Sequence, residues 1–208
     1  MYEELTRVRE FEIDGVQNWI WPRTDSGAWD GPVDDWVSSH KEKYLRWTKG
    51  RDVVVQAGGN CGLYPRLLSN IFQVVYTFEP DPLNFYCLTR NCQKDNIVKY
   101  QAALGSDHSS ISVHRHTQEN VGMHQVTKNQ DGFLMQLKID DLDLRYCDLI
   151  CLDIEGYEIN ALNGATETLK KFKPTVVVEN DNSVIRSLLE SFEIYPREQS
   201  KMDTIYSS

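Results

Sequence analysis

The chain has 208 residues, enough for one domain with a lead-in or for two small domains. Hydrophobic residues make up 40% and charged residues 25%, the balance of a globular protein with a core rather than of a disordered or fibrous chain. Lys and Arg number 22 against 31 Asp and Glu, and the net charge of −9 argues against non-specific binding to nucleic acid, which needs a basic surface.

No apolar run approaches the ~20 residues that span a bilayer. The first residues, MYEELTRVREFEIDG, are polar and acidic and do not read as a signal peptide. Five cysteines, Cys61, Cys87, Cys92, Cys147 and Cys151, show no C-x-x-C spacing. They are expected to be reduced, mostly buried thiols of a cytoplasmic protein.

Residues 1–50 form a lead-in of distinct character. All five tryptophans lie in it: Trp19, Trp21, Trp29, Trp36 and Trp47. Asp34 or Asp35 is placed to cap a helix through Trp36, Val37, His40, Tyr44 and Trp47. Two accounts of the rings stand open: packing against the following domain, or a cap over an active site that offers flat faces to a sugar.

Residues 51–208 alternate strand and helix, which predicts an α/β domain with a mainly parallel sheet and helices on both faces. Strands are expected at 52–56, 74–79, 97–103, 110–116, 133–139, 148–153 and 175–179. Helices are expected at 62–70, from Pro82 through Cys92, from Glu158, and at 184–191. The polar stretch between 116 and 133 reads as a loop. Segments 192–195 and 204–206 would close the sheet as an antiparallel pair.

Two stretches carry chemistry. In VVVQAGGNCGLYP, Val53 to Pro65, a buried strand meets a tight glycine turn and a helix start. Glycine lets a ligand approach the backbone, and free N–H groups at a helix start favour electron-rich oxygens. About twenty residues on, VVYTF ends in Glu79, a carboxylate placed to take hydrogen bonds from ribose hydroxyls. The pattern reads as a nucleoside-type cofactor across two neighbouring strand ends. Ala57, Gly59 and Gly62 resemble a dinucleotide fingerprint, and the same architecture holds S-adenosylmethionine, so spacing alone leaves the cofactor open.

The second stretch is CDLICLDIEGYE, Cys147 to Glu158, where a strand delivers Asp153 and Glu155 at its carboxyl end. Two residues apart on a strand, they share one face and suit general-base work on a hydroxyl. Helix capping is the plainer alternative, and Glu158 reads as structural. Glu179-Asn180 end the next strand and would line an acceptor pocket or cap the next helix. His114 and His116 read as a solvated strand face, and no metal site is expected. There is no phosphate loop, no Gly-x-Ser-x-Gly elbow and no His-Glu-x-x-His. No Tyr is followed four positions later by Lys, which counts against a short-chain dehydrogenase.

Set in order, VVVQAGGNCG, FEPDPLNF with Leu88 and Asn91, QAALG, IDDL, DLICLDIEGYE, ALNGA, Pro174 and VVVEN resemble the FkbM family of S-adenosylmethionine-dependent methyltransferases. The resemblance implies a class I methyltransferase fold over about 52–180. It implies methyl transfer from S-adenosylmethionine, usually to a hydroxyl of a sugar or other small molecule. By position, Gly58, Gly59, Asn60 and Gly62 would hold the methionine part and ribose, and Gln56 would also bind the cofactor. Glu79 would bind the ribose hydroxyls, and Asp153 and Glu155 would face the acceptor. Gln56 stands where the family usually has an acid, and Cys151 where it often has Lys. A catalytically silent methyltransferase fold and a nicotinamide-dependent enzyme are the alternatives.

Overall fold

The computed structural model describes residues 2–10, 12, 15, 17–25, 42–115, 124–200 and 203–208. The expected helix start at Asp34 or Asp35 lies outside them, as do Trp29, Trp36, Val37, His40 and His116.

The described elements follow the predicted alternation. Strands β1 (Thr6–Arg9) and β2 (Trp19–Pro22) pair antiparallel. Residues 42–47 are helical (α1). Then come β3 (Val53–Ala57), α2 (Leu63–Leu68), β4 (Val74–Phe78), α3 (Pro82–Asn91) and β5 (Ile97–Tyr100). A second group of strands follows: β6 (Ala103–Leu104), β7 (Ser110–Arg115), β8 (His124–Lys128) and β9 (Leu134–Leu137). The chain returns through β10 (Leu149–Leu152), α4 (Glu158–Asn163), α5 (Thr166–Phe172), β11 (Thr175–Val178), α6 (Ser183–Ser191), β12 (Tyr195–Gln199) and β13 (Thr204–Ser207).

Among the described residues, seven strands form one sheet in the order β12-β13-β11-β10-β3-β4-β5. β11, β10, β3, β4 and β5 run parallel, and β13 enters antiparallel between β11 and β12. This is the expected class I methyltransferase architecture. The central strands are buried on both faces, which is why they read as unbroken apolar runs. Val53, Val55, Ile150, Leu152, Val176 and Val178 face α4, α5 and α6. Val54, Cys151 and Val177 face the side of Tyr44, Leu68 and Phe72. Chain reversal occurs between β3 and β10, whose crossovers leave in opposite directions, so the crevice at their carboxyl ends is where an open parallel sheet takes ligands.

The lead-in is packed into this body. Trp19 and Trp21 are fully buried with Leu63, Leu67, Cys61 and Cys87 of the α2 and α3 side, as the first account of the rings has it. Each buried indole removes roughly 200 Å² from water, about 5 kcal/mol as an upper bound. Asn91 fastens the arrangement. Its Oδ1 accepts from Ile20 N at 2.8 Å, and its Nδ2 donates to Ile20 O at 2.9 Å and to Cys61 O at 2.7 Å. All five cysteines are buried and free.

Four expectations shift. The strand predicted over 97–103 is split: β5 ends at Tyr100, and Ala103–Leu104 crosses to pair with β9 in a separate sheet. The loop expected between 116 and 133 contains β8, which pairs antiparallel with β7. HQVTK has one apolar residue, so pairing rather than a buried face makes it a strand. The helix expected over 62–70 spans six residues. The closing strand starts at Tyr195, because Phe192 still caps α6.

Candidate active site

The turn after β3 and the turn after β10 touch. Gly58 has φ +83, and a Cβ built on it would lie 1.9 Å from the Asp153 carbonyl oxygen. Only glycine fits where the two strand ends meet. At the helix start no side chain caps α2, so free N–H groups remain there, but those of the turn itself point inward. Gly58 N and Gly59 N donate to Phe78 O at 3.1 and 2.9 Å, and Gly62 N donates to Gly59 O at 2.8 Å. Asn60 N donates to Glu79 Oε2 at 2.7 Å. These four donors are spent inside the protein. The turn shows an acceptor instead, since Asn60 Oδ1 is buried with no hydrogen-bond donor.

Glu79 stands at the end of β4, buried, against this turn. Its Oε1 accepts from Asp81 N at 2.8 Å, and each oxygen keeps a lone pair for a further donor. Burial pushes its carboxyl up to about 8, although the N–H groups of Asp81 and Asn60 pull the other way. Gln56 lies directly across from Thr77 in the β3–β4 register. Its Oε1 accepts from Thr77 Oγ1 at 2.6 Å, and its Nε2 donates to Ala57 O at 3.1 Å. The amide ties two strand ends together at the floor of the crevice it lines.

Between the ends of β3 and β4 and the start of β6 lies an apolar slot with about 230 Å³ of open space. Phe78, Pro80, Ala103, Leu104, Ile154 and Tyr157 line it. Tyr157 is held by its hydroxyl, which donates to Gln136 Oε1 at 2.9 Å. Gln136 in turn donates to Ser109 Oγ at 2.9 Å and to Asp107 Oδ1. An apolar slot beside a buried carboxylate suits a purine beside its ribose.

On the other side of the β3 end, a crevice with about 410 Å³ of open space is lined by Tyr44, Gln56, Tyr64, Asp153, Glu179 and Asp203. β10 ends at Leu152, so Asp153 and Glu155 do not meet by strand alternation. A turn brings them together, with Glu155 at φ +53 and Gly156 at φ +93. Glu158 closes that turn by accepting from Gly156 N at 3.2 Å, the structural role expected of it. Ligand oxygens of Asp153, Glu155 and Glu179 lie within 4.8 Å of one another, close enough to share a cation. Desolvation by the surrounding protein, and then the Glu179 carboxylate, push the Asp153 carboxyl well above the usual range. Asp153 opens to water on one side, and the neighbouring acids Glu179 and Glu155 keep its carboxyl raised there. Desolvation also raises Glu179, while the hydrogen bond from Asp153 opposes the rise. The pair behaves as a protonated Asp153 donating to Glu179. Tyr44 donates to Asp203 Oδ2 at 3.0 Å, and burial pushes both tyrosine phenols up, so they stay neutral.

Residues 52–193 match the family described as the Methyltransferase FkbM domain. The chain belongs to that family. Among curated proteins it is similar to the hexuronic acid methyltransferase AglP of Haloferax volcanii, 25% identical over 132 residues. That alignment covers 61% of this chain and 55% of AglP. Among solved structures it is similar to the methyltransferase FkbM of Methylobacillus flagellatus, with TM-score 0.49 and 18% identity over 80% of this chain and 50% of that one. The magnesium protoporphyrin IX methyltransferase of Synechocystis, solved with bound SAM, gives TM-score 0.45 and 8% identity over 83% and 76% of the two chains. The chain spans about half the length of AglP and of the Methylobacillus protein.

Within this FkbM domain the sequence-derived residues fall into two groups around the β3 end. Gly58, Gly59, Asn60, Gly62 and Glu79 gather on the turn, and Asp153, Glu155 and Glu179 gather across the crevice, with Gln56 beneath. Asn180 is exposed, and its Nδ2 donates to Glu179 Oε2 at 3.3 Å. The helix that follows is capped by Asn182, not by Glu179 or Asn180. The slot residues were not singled out from the sequence. Their signal was position, since QAALG and Tyr157 both sit just past strand ends.

Proposed function

We propose that this chain is an S-adenosylmethionine-dependent methyltransferase acting on a hydroxyl of a sugar or other small molecule. One observation carries the choice of cofactor. The glycine turn spends the N–H groups of Gly58, Gly59, Asn60 and Gly62 inward and shows a buried acceptor, Asn60 Oδ1, beside Glu79. A pyrophosphate needs donors. A cofactor that carries an ammonium and ribose hydroxyls needs acceptors, and those are what the site offers. These acceptors favour S-adenosylmethionine over a nicotinamide dinucleotide.

When bound, S-adenosylmethionine supplies a methyl group made electrophilic by its sulfonium charge. The chain's own work is holding, orienting and moving a proton. Glu79 would hold the ribose hydroxyls, Asn60 Oδ1 a cofactor donor, and the apolar slot the purine. In the crevice, Asp153 would take the acceptor hydroxyl's proton once its own has gone to Glu179 or to water. Glu155 and Glu179 would orient the acceptor through its other hydroxyls. AglP's name makes a sugar the natural first acceptor to try.

Calorimetric titration tests the cofactor reading. S-adenosylhomocysteine is expected to bind and NAD to show no heat. Binding of NAD in its place would overturn the proposal. Glu79 adds a pH signature. Ribose hydroxyls donate best to an ionised carboxylate, and Glu79 sits at about 8. Affinity for S-adenosylhomocysteine should therefore rise with pH up to about 8, by as much as about tenfold per unit, and then level off. Glu79→Gln should flatten the profile, and an unchanged slope in that variant would remove Glu79 from the site.

A further inference from the structure

We propose that Arg115 is a positioning residue for the cofactor: by clasping Asp81 it holds the β7–β8 hairpin so that Val126 walls the slot over a flat purine. The inference rests on the cofactor reading above and deepens it.

Three residues far apart in the chain converge. Arg115 and His124 are directly opposed in the β7–β8 register, so their side chains share a face. Both point at Asp81, whose side chain is 1% exposed. Arg115 reaches its Oδ2 through Nε and Nη2, each at 2.7 Å. His124 Nδ1 stands 3.3 Å from the same oxygen, without the alignment of a full hydrogen bond. The other carboxylate oxygen caps α3 by accepting from Leu83 N at 2.8 Å and Asn84 N at 3.2 Å. Asp81 thus joins the hairpin to the helix that starts three residues after Glu79. Against the burial that would raise it, His124 and Arg115 hold the Asp81 carboxyl well below the usual range.

The position of the clasp gives it a function. The hairpin pairs with β9 only at Ser110 and Ile111 among the described residues, at the opposite end of β7 from Arg115. Without the clasp its outer end would hang from that short pairing. Val126 lies two residues along β8 from His124, on the same face, and lines the apolar slot with Pro80 and Tyr157. The clasp therefore sets how closely Val126 approaches anything in the slot. A planar guanidinium with two nitrogens 2.7 Å from one buried carboxylate oxygen fixes that distance better than a lysine would.

The test measures S-adenosylhomocysteine by calorimetry and adenosine by ligand-detected NMR, on the full chain and on Arg115→Met, Arg115→Lys, Val126→Ala and the Arg115→Met/Val126→Ala pair. Arg115→Met is expected to weaken both ligands by about the same factor, roughly tenfold. Arg115→Lys should lose less, and the double variant no more than the larger single loss. Unliganded melting curves establish that each variant is folded. An unchanged affinity in Arg115→Met overturns the inference. So does a loss for S-adenosylhomocysteine without one for adenosine, because that would mean a loosened turn rather than a displaced wall. If the unaltered chain binds neither ligand, the cofactor reading itself fails and takes the clasp with it.

Discussion

Replacing Asp153 by Asn is expected to lower methyl transfer by about 10²–10⁴-fold while leaving affinity for S-adenosylhomocysteine nearly unchanged. An alkyl hydroxyl is a poor nucleophile until something accepts its proton, and Asp153 is the crevice carboxylate whose proton affinity is raised well above the usual range. The sign of the pH dependence follows. Only the deprotonated form accepts a proton, so transfer should fall as pH drops through that raised value and stay constant above it. Single-turnover transfer and cofactor titration, run on the same preparations, separate the chemical role from binding. Full turnover in Asp153→Asn would remove the residue from the reaction. A loss of cofactor affinity equal to the loss of rate would make it a binding residue instead.

Gly58→Ala should be among the most damaging single substitutions in the chain. Its φ of +83 is strained for alanine, at a cost of order 1–3 kcal/mol. The new methyl would also lie 1.9 Å from the backbone oxygen of Asp153, which has no flexible end to move aside. The strand ends must then part, and we expect at least about 3 kcal/mol of lost stability, against a total of roughly 5–15. Gly156→Ala is the matched control. It also has positive φ, +93, but nothing lies within 4 Å of its added carbon. Denaturant midpoints should show Gly58→Ala shifted well beyond Gly156→Ala. Equal shifts would mean that backbone conformation alone, and not the meeting of the two turns, demands glycine at 58.

The sheet was legible because its central strands are covered on both faces. Val53–Val55, Leu149–Leu152 and Val176–Val178 have no wet side, so composition alone marks them. β8 was not legible, since Val126 is the single apolar residue of HQVTK and its strand character comes from its partner. Glu79 and Asp153 could be found because strand ends in a parallel sheet share one edge. The acids of the crevice were placed together for an incorrect local reason: Asp153 and Glu155 meet across a turn, not along a strand. The inward use of the N–H groups of Gly58, Gly59, Asn60 and Gly62 was hidden, because a glycine-rich string looks the same whether its donors point in or out. The Asp81 clasp was hidden too, since its members are 34 and 43 positions apart along the chain.

The family match covers 52–193, but the folded body does not share those limits. A recombinant fragment trimmed to that match would forfeit β2, and with it both indoles that roof α2 and α3 and the peptide group to which Asn91 is moored. At the other end it would forfeit β12 and β13, baring the hydrogen-bonding edge of Val176–Val178. An uncapped, valine-rich edge invites another copy to dock on it. Such a fragment should precipitate or form soluble aggregates, so crystallographic and screening work is best served by keeping the flanking residues.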